Sequence, residues 1–186
     1  MEFEPTAIPD IVLIHPQVFG DERGFFMETY QAQKFGAAGL PLIFVQDNHS
    51  GSQRGTLRGL HYQIKQAQGK VVRVVVGEIY DVAVDLRRWS PTYGKWVAAT
   101  LSSQNKTELW VPPGFAHGFY VLSEWAEVTY KATDYYAPQY ERSLLWNDPA
   151  LGIPWPIPPG QTPTLSPKDA QGALFANAEV YQEAIR

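Results

Sequence analysis

Apolar and polar residues alternate in short runs along most of this chain, and sustained helical periodicity is nearly absent. The alternation is clearest from Val71 to Leu86. There Ile79, Asp81, Ala83 and Asp85 share one face, Tyr80, Val82, Val84 and Leu86 share the other, and Gly77-Glu78 marks a turn. This segment reads as an antiparallel hairpin, half buried on one face. Ile11 to Ile14, Gly24 to Tyr30, Leu42 to His49, Thr56 to Gln63, Trp96 to Leu101, Glu108 to Val111, Phe115 to Leu122 and Ala126 to Thr133 read as further strands. Pro, Gly, Ser and Asn turns separate several of them, and Gly20-Asp21 marks the turn before Gly24. Many short strands with almost no helix between them predict an all-β jelly-roll sandwich or barrel with a few short peripheral helices.

Three helical segments are expected. Gln31 to Ala38 would make one or two turns closed by Gly39 and Pro41. Ser166 would cap a turn beginning at Pro167, and Ala176 to Ile185 would form a terminal helix. Between Ser143 and that turn, WNDPALGIPWPIPPGQTP is too rich in proline for ladder pairing and reads as a packed, ordered arm. With no repeat, low-complexity tract or flexible linker, residues 1–186 are expected to form a single domain.

Composition narrows the function classes. An apolar content of 45% fits a chain with a real core. A net charge of -4 argues against general affinity for nucleic acid or acidic membranes, although a local cationic pocket remains open. The chain has no cysteine, which removes disulfides, thiolate metal sites and cysteine nucleophiles. No basic leader precedes an apolar segment, and no apolar run reaches membrane-spanning length, so a soluble, cytoplasmic protein is expected.

The chemistry concentrates in Arg54 to Arg73, RGTLRGLHYQIKQAQGKVVR. Arginine, histidine and lysine there interrupt strand-like flanks, which fits either a ligand site or a solvated surface strand. On a regular pleat Arg58 and His61, three residues apart, point to opposite faces. An irregularity at Gly59 is therefore predicted if both serve one site. In Leu42 to His49, Gln46 and Asn48 share a face and are either solvated or reading a ligand. WVPPGFAHGF places a proline-glycine turn before His117, as the second cupin motif does. The residues after His61 are Tyr62 and Gln63 where a cupin metal centre would want a second histidine, so no tight metal site is expected.

QDNHSGSQRGTLRGLHYQ, DERGFFMETY, GEIYDVAVDLRRWSPTYGKW, WVPPGFAHGFYVL, WNDPALGIPWP and LSPKD, taken together, resemble the dTDP-4-dehydrorhamnose 3,5-epimerase family. The match runs from about Asp10 to about Phe175. It implies a cupin-like jelly-roll homodimer, without metal or organic cofactor, acting on a dTDP-linked 4-keto-6-deoxy sugar. By that resemblance His61 is the base, Asp169 holds its ring, Tyr130 is the acid on the far face and Lys70 stands near the developing enolate. Arg23 and Arg58 match the arginines that meet the diphosphate, and Glu28, Gln46, Asn48, His117, Glu141 and Lys168 match other ligand-contacting positions. Without the resemblance, Asp169 reads as a first-turn helix residue, Tyr130 as a sheet-packing side chain and Lys70 as a strand-entry charge.

The reaction so implied inverts C3 and C5 of dTDP-4-dehydro-6-deoxy-D-glucose to give dTDP-4-dehydro-6-deoxy-L-mannose. The alternatives are a relative that inverts one carbon for a natural-product sugar, a non-catalytic nucleotide-sugar binding module and a metal-dependent cupin enzyme. No tryptophan is assigned a role.

Overall fold

The computed structural model describes residues 1–185. Its strands are β1 (Glu2–Pro5), β2 (Val12–His15), β3 (Val18–Asp21), β4 (Gly24–Met27), β5 (Gln46–Gln53), β6 (Leu57–Gln63) and β7 (Lys70–Val76). They continue as β8 (Glu78–Asp85), β9 (Trp96–Ser102), β10 (Glu108–Val111), β11 (Phe115–Val121), β12 (Trp125–Ala132) and β13 (Glu141–Ser143). Two short helices, α1 (Ala32–Ala37) and α2 (Pro167–Ala170), lie outside the sheets. One sheet has the order β1-β2-β10-β7-β12-β5, a second the order β13-β6-β11-β8-β9, and β3 and β4 form a separate hairpin. All ladders between these strands are antiparallel. The fold is the expected jelly roll. Among the described residues no helix is long and apolar enough to cross a membrane.

The segment Val71 to Leu86 corrects the expected hairpin. Strands β7 and β8 do follow one another through Gly77, but β7 pairs with β10 and β12, whereas β8 pairs with β11 and β9. Alternation reveals which side chains share a face and says nothing about which strand lies alongside. Gly77 has φ +77°, and a Cβ there would meet the Trp125 carbonyl at 2.1 Å, so the crossing between sheets needs glycine. Strand β8 is also buried on both faces rather than one. Ile79 and Ala83 enter the core between the sheets with Val72, Val74, Val128, Phe115 and Phe119. Val82 and Val84 enter a second core with Leu144, Leu151, Val180 and Tyr181 from the proline-rich arm and the C-terminal segment.

A third cluster, around Ile14, Phe35, Leu40, Val71 and Trp110, docks α1 onto the outside of the six-stranded sheet. Gln31 caps that helix by accepting from the Lys34 amide at 2.7 Å. The terminal helix expected over Ala176 to Ile185 is absent. A single 3₁₀ turn covers Phe175–Asn177, and Tyr181 then bridges to Arg87 beside the five-stranded sheet. Carbonyls that a helix would use are taken elsewhere: Glu179 O accepts from the Tyr62 hydroxyl at 2.6 Å and Tyr181 O from the Arg88 amide at 2.9 Å. Burial of Val180 and Tyr181 overrides local helix propensity. Three short strands, β1, β3 and β13, were not expected. Leu42 to Val45 precedes β5 instead of belonging to it, and the β3–β4 turn falls at Glu22-Arg23.

Candidate active site

At one end of the jelly roll the apolar layer between the sheets gives way to polar side chains. His61 (β6) and His117 (β11) come from the five-stranded sheet, whereas Lys70 (β7) and Tyr130 (β12) come from the six-stranded sheet. Together with Gln63, Gln68, Tyr136 and Glu141 they line a cavity of about 70 Å³. A larger hollow of about 320 Å³ includes Asp47, Asn48, His49, Arg73, Glu108 and Lys131; it shares Tyr130 with the first cavity and involves none of His61, Lys70 or His117. Both hollows hold titratable groups; what singles out the smaller is that His61 and His117 meet Lys70 and Tyr130 there from opposite sheets.

The predicted irregularity at Gly59 is present. Arg58 faces Phe119 and His61 faces His117, so three steps along β6 span two along β11. This extra residue puts Arg58 and His61 on one face, because Phe119 and His117 are two apart on a strand. Gly59 has φ +112° and lies so close to Gly118 that a Cβ would meet its Cα at 2.6 Å.

The ring of His61 is hydrogen-bonded through Nε2 to Asp169, itself only 3% exposed. Asp169 is fixed by α2: the Ser166 hydroxyl accepts from its amide at 3.1 Å and donates to its Oδ2 at 2.7 Å. Burial alone would raise the Asp169 pKa, but hydrogen bonds from His61, Ser166 and the Gly59 backbone, with the nearby imidazole charge, outweigh it and hold the carboxyl below its usual range. An anionic partner of this kind fixes the imidazole tautomer and stabilises the ring when it takes a proton.

Across the cavity, burial pushes the Lys70 ammonium down to about 8, against the opposing charges of Asp81 and Glu141. Its Nζ lies 5.7 Å from the centroid of the Tyr130 ring. Burial also raises the Tyr130 hydroxyl above its usual value, with Glu141 adding to the effect, so the phenol stays protonated at neutral pH and keeps a proton to give. Glu141 is paired with Lys168 and accepts from the Tyr136 hydroxyl at 2.7 Å. Burial penalises that carboxylate, but these partners hold its pKa low. His117 is hydrogen-bonded to Asp81 at 2.8 and 3.0 Å.

The remaining expected residues divide. Asn48 is the register partner of Tyr130, and Gln46 donates to Asn48 Oδ1 at 3.0 Å while accepting from the Tyr136 amide at 2.9 Å. Asn48 Nδ2 is buried and makes no hydrogen bond within the described residues, leaving a donor for a ligand. Arg58 donates to Ser52 Oγ at 2.9 Å and to the Gly51 carbonyl at 3.2 Å. Arg23 and Glu28 are not brought to this cavity. Arg23 sits at the tip of the β3–β4 hairpin, paired with Asp21, and Glu28 pairs with Lys34 at 2.7 Å. Two residues went unassigned at the sequence level. Asp81 is one of three acids in β8, with Glu78 and Asp85, and its signal is an acid on the face it shares with Ile79 and Ala83, whereas Tyr136, in an irregular segment, carried no signal.

An imidazole backed by a carboxylate thus faces an ammonium and a protonated phenol carried by the opposite sheet. That set can remove a proton next to a carbonyl, stabilise the oxyanion that results and return a proton from the other side. Among the described residues, no group of three or more His, Asp or Glu side chains is placed to hold a metal ion.

Comparison with known proteins agrees with this chemistry. The family model described as dTDP-4-dehydrorhamnose 3,5-epimerase matches residues 5–177. A dTDP-4-dehydrorhamnose 3,5-epimerase from Pseudomonas aeruginosa is 60% identical over 182 residues, covering 97% of this chain and 99% of the relative. The crystal structure of the dTDP-6-deoxy-D-glucose-3,5-epimerase from Legionella pneumophila, in complex with dTDP-4-keto-L-rhamnose, is similar at a TM-score of 0.94 and 49% identity, over 98% of each chain. A 3'-monoepimerase from Streptomyces bikiniensis in complex with dTDP-quinovose is more distant, at a TM-score of 0.86 and 33% identity, over 93% of this chain and 87% of that one. On the matched family model and these relatives, the chain belongs to the dTDP-4-dehydrorhamnose 3,5-epimerase family.

Proposed function

We propose that the protein inverts C3 and C5 of dTDP-4-dehydro-6-deoxy-D-glucose to give dTDP-4-dehydro-6-deoxy-L-mannose. The observation that carries this reading is the placement of His61 and Asp169 opposite Lys70 and Tyr130 across one cavity. Both carbons flank the C4 ketone, so each C–H is acidic once its electrons can move onto the ketone oxygen. The two hydrogens lie on the same ring face of the gluco-configured substrate, within the reach of one base.

In each half of the reaction His61 takes the proton through the ring nitrogen that Asp169 leaves free. The C–H electron pair becomes the enolate double bond, and the C4 oxygen takes the negative charge beside Lys70. Tyr130 then gives its proton to the same carbon from the opposite face. The Tyr130 phenolate regains a proton and His61 releases one, so the step is redox-neutral and consumes no co-reactant. Lys70 contributes most where the oxygen charge is greatest, which favours the transition state over the ketone.

The cavity of about 70 Å³ holds only the reacting part of such a ligand. Arg58, His117, Lys168, Gln46 and Asn48 bind the rest, with guanidinium and ammonium groups meeting the diphosphate. The protein acts as a cytoplasmic homodimer. Its β3–β4 hairpin supports the dimer, because Phe19, Phe25 and Phe26 are 55%, 59% and 71% exposed on it. In the dimer this hairpin brings Arg23 and Glu28 to the ligand held by the second copy. Sedimentation should give a dimer that Phe19→Ser with Phe26→Ser converts to monomer; a monomeric parent protein contradicts this part.

Incubation with the substrate in deuterated water tests the reaction. NMR should show deuterium at both C3 and C5 with inversion at each. Inversion at one carbon would make the protein a single-carbon epimerase, and no exchange above the enzyme-free control would leave a nucleotide-sugar binding module.

A further inference from the structure

We propose that Asp81 is a positioning residue for this reaction: its buried carboxylate orients the ring of His117 and keeps Lys70 in the ammonium form. The inference rests on the proposed function, since it assigns Lys70 the enolate charge.

Asp81 is 0% exposed on β8, in the layer between the sheets. A carboxylate placed there costs several kcal/mol unless cations and N–H groups compensate. Asp85, four residues on and equally buried, shows what a structural acid looks like in this fold. It accepts from the Arg87 amide and guanidinium, from Ser90 and from Thr92. Among the described residues Asp81 has no such shell. Its hydrogen-bond partner is His117 Nε2, bifurcated between the two carboxylate oxygens at 2.8 and 3.0 Å. An apolar residue would fill this position at lower cost to stability, so the carboxylate calls for a role at the cavity.

The strand register supplies one. Phe119 faces Asp81 and Ala83 faces His117 across β8 and β11, so Asp81 and His117 project to the same side, into the layer that Lys70 enters from the other sheet. Asp81 is the leading charge opposing the effect of burial on Lys70, ahead of Glu141, while Lys168 acts in the other direction. The remaining titratable groups around the cavity are His61 on β6, held by Asp169, Tyr130 on β12, Tyr136 in the segment before β13, and Tyr62 on β6 and Tyr181 in the C-terminal segment, whose hydroxyls donate to the Glu179 and Gln63 carbonyls. Glu141 is committed to Lys168 and Tyr136, which leaves Asp81 as the buried acid best placed to sustain the Lys70 charge.

The test is Asp81→Asn, which retains a hydrogen-bonding group for His117 and removes the charge. In the ligand-free protein the ¹³Cε resonance of Lys70, assigned by comparison with Lys70→Met, should titrate about 1 unit lower in the variant. The alkaline limb of kcat/KM should move by the same amount, about a tenfold loss on that limb. An unchanged Lys70 midpoint in the folded variant overturns the proposal. In the parent protein the Asp81 ¹³Cγ resonance should carry an inflection at the Lys70 midpoint that Lys70→Met abolishes. This second reading decides the matter if Asp81→Asn does not fold, and absence of the inflection also overturns the proposal. Absence of any deuterium uptake by the parent protein would instead overturn the proposed reaction, while the Lys70 titration would still decide the part played by Asp81.

Discussion

His61 and Asp169 lie 108 residues apart in the chain, yet the imidazole of one is held by the carboxylate of the other. A parallel bridge between Thr56 and Thr164 lays the proline-rich arm beside the start of β6, and the Ser166 cap then turns α2 so that Asp169 points inward. Asp169→Asn should therefore leave the fold and dTDP affinity largely unchanged and lower kcat by about 10²- to 10⁴-fold, the usual range for a general base that loses its support. Steady-state kinetics alongside calorimetric dTDP titration checks this, and a change confined to affinity would contradict it.

Lys70 sets an alkaline limit. It carries its charge below a pKa of about 8 and loses it as pH rises through that value. kcat/KM should turn downward around pH 8 and fall about tenfold per unit well above it, since that ratio reports the free enzyme. Lys70→Met should remove most activity throughout and abolish the limb. A profile with no break between pH 7 and 9.5 would contradict this assignment.

Glu108 offers a stability test away from the cavity. Its side chain is 1% exposed, both carboxylate oxygens lack partners within the described residues, and burial pushes its pKa up to about 8 despite Arg73 and Lys131. Unfolded, the same carboxyl ionises at about 4.3. Between these values the unfolded chain releases a proton that the folded one keeps, so this group's contribution to stability is lost progressively as pH rises from about 4.3 to about 8. Glu108→Gln should stabilise the protein by about 1–3 kcal/mol at pH 8 and have little effect at pH 4. Urea unfolding at both pH values checks the sign.

Gly59→Ala should be severe. A Cβ at φ +112° would meet Gly118 Cα and the His117 carbonyl, both at 2.6 Å and both backbone. We expect a loss of about 3 kcal/mol or more, together with loss of turnover, because the same contact sets the placement of Arg58 and His61. Thermal unfolding and activity in parallel would show it; a variant as stable and active as its parent would contradict the close approach.

The sequence showed most strand positions, because a half-buried strand writes its pleat directly into residue order. It did not show strand partners. Ile79 to Leu86 alternates whether β8 pairs with β7 or with β11, and the ladder is decided by packing between distant segments. The same limit hid β13, whose three residues are strand-like only because β6 is there to pair with them. At the site, Arg58 and His61 exposed a conflict with the pleat that the residues themselves made visible, and the irregularity at Gly59 resolves it. Asp169 and Tyr130 were ordinary as isolated residues and became candidates only through the family resemblance. Tyr136 was missed because a loop tyrosine has no periodicity to break.

His61 and Tyr130 are carried by opposite sheets, and the proposed reaction assigns them the base and the acid. Deuterium incorporation catalysed by His61→Asn and Tyr130→Phe, read at C3 and C5 of the substrate, tests it most directly. No exchange is expected at either carbon with His61→Asn. Tyr130→Phe should give exchange with retained configuration, because the proton is removed but no longer returned from the far face. Exchange at the parent rate in folded His61→Asn, or full inversion by Tyr130→Phe, would contradict it.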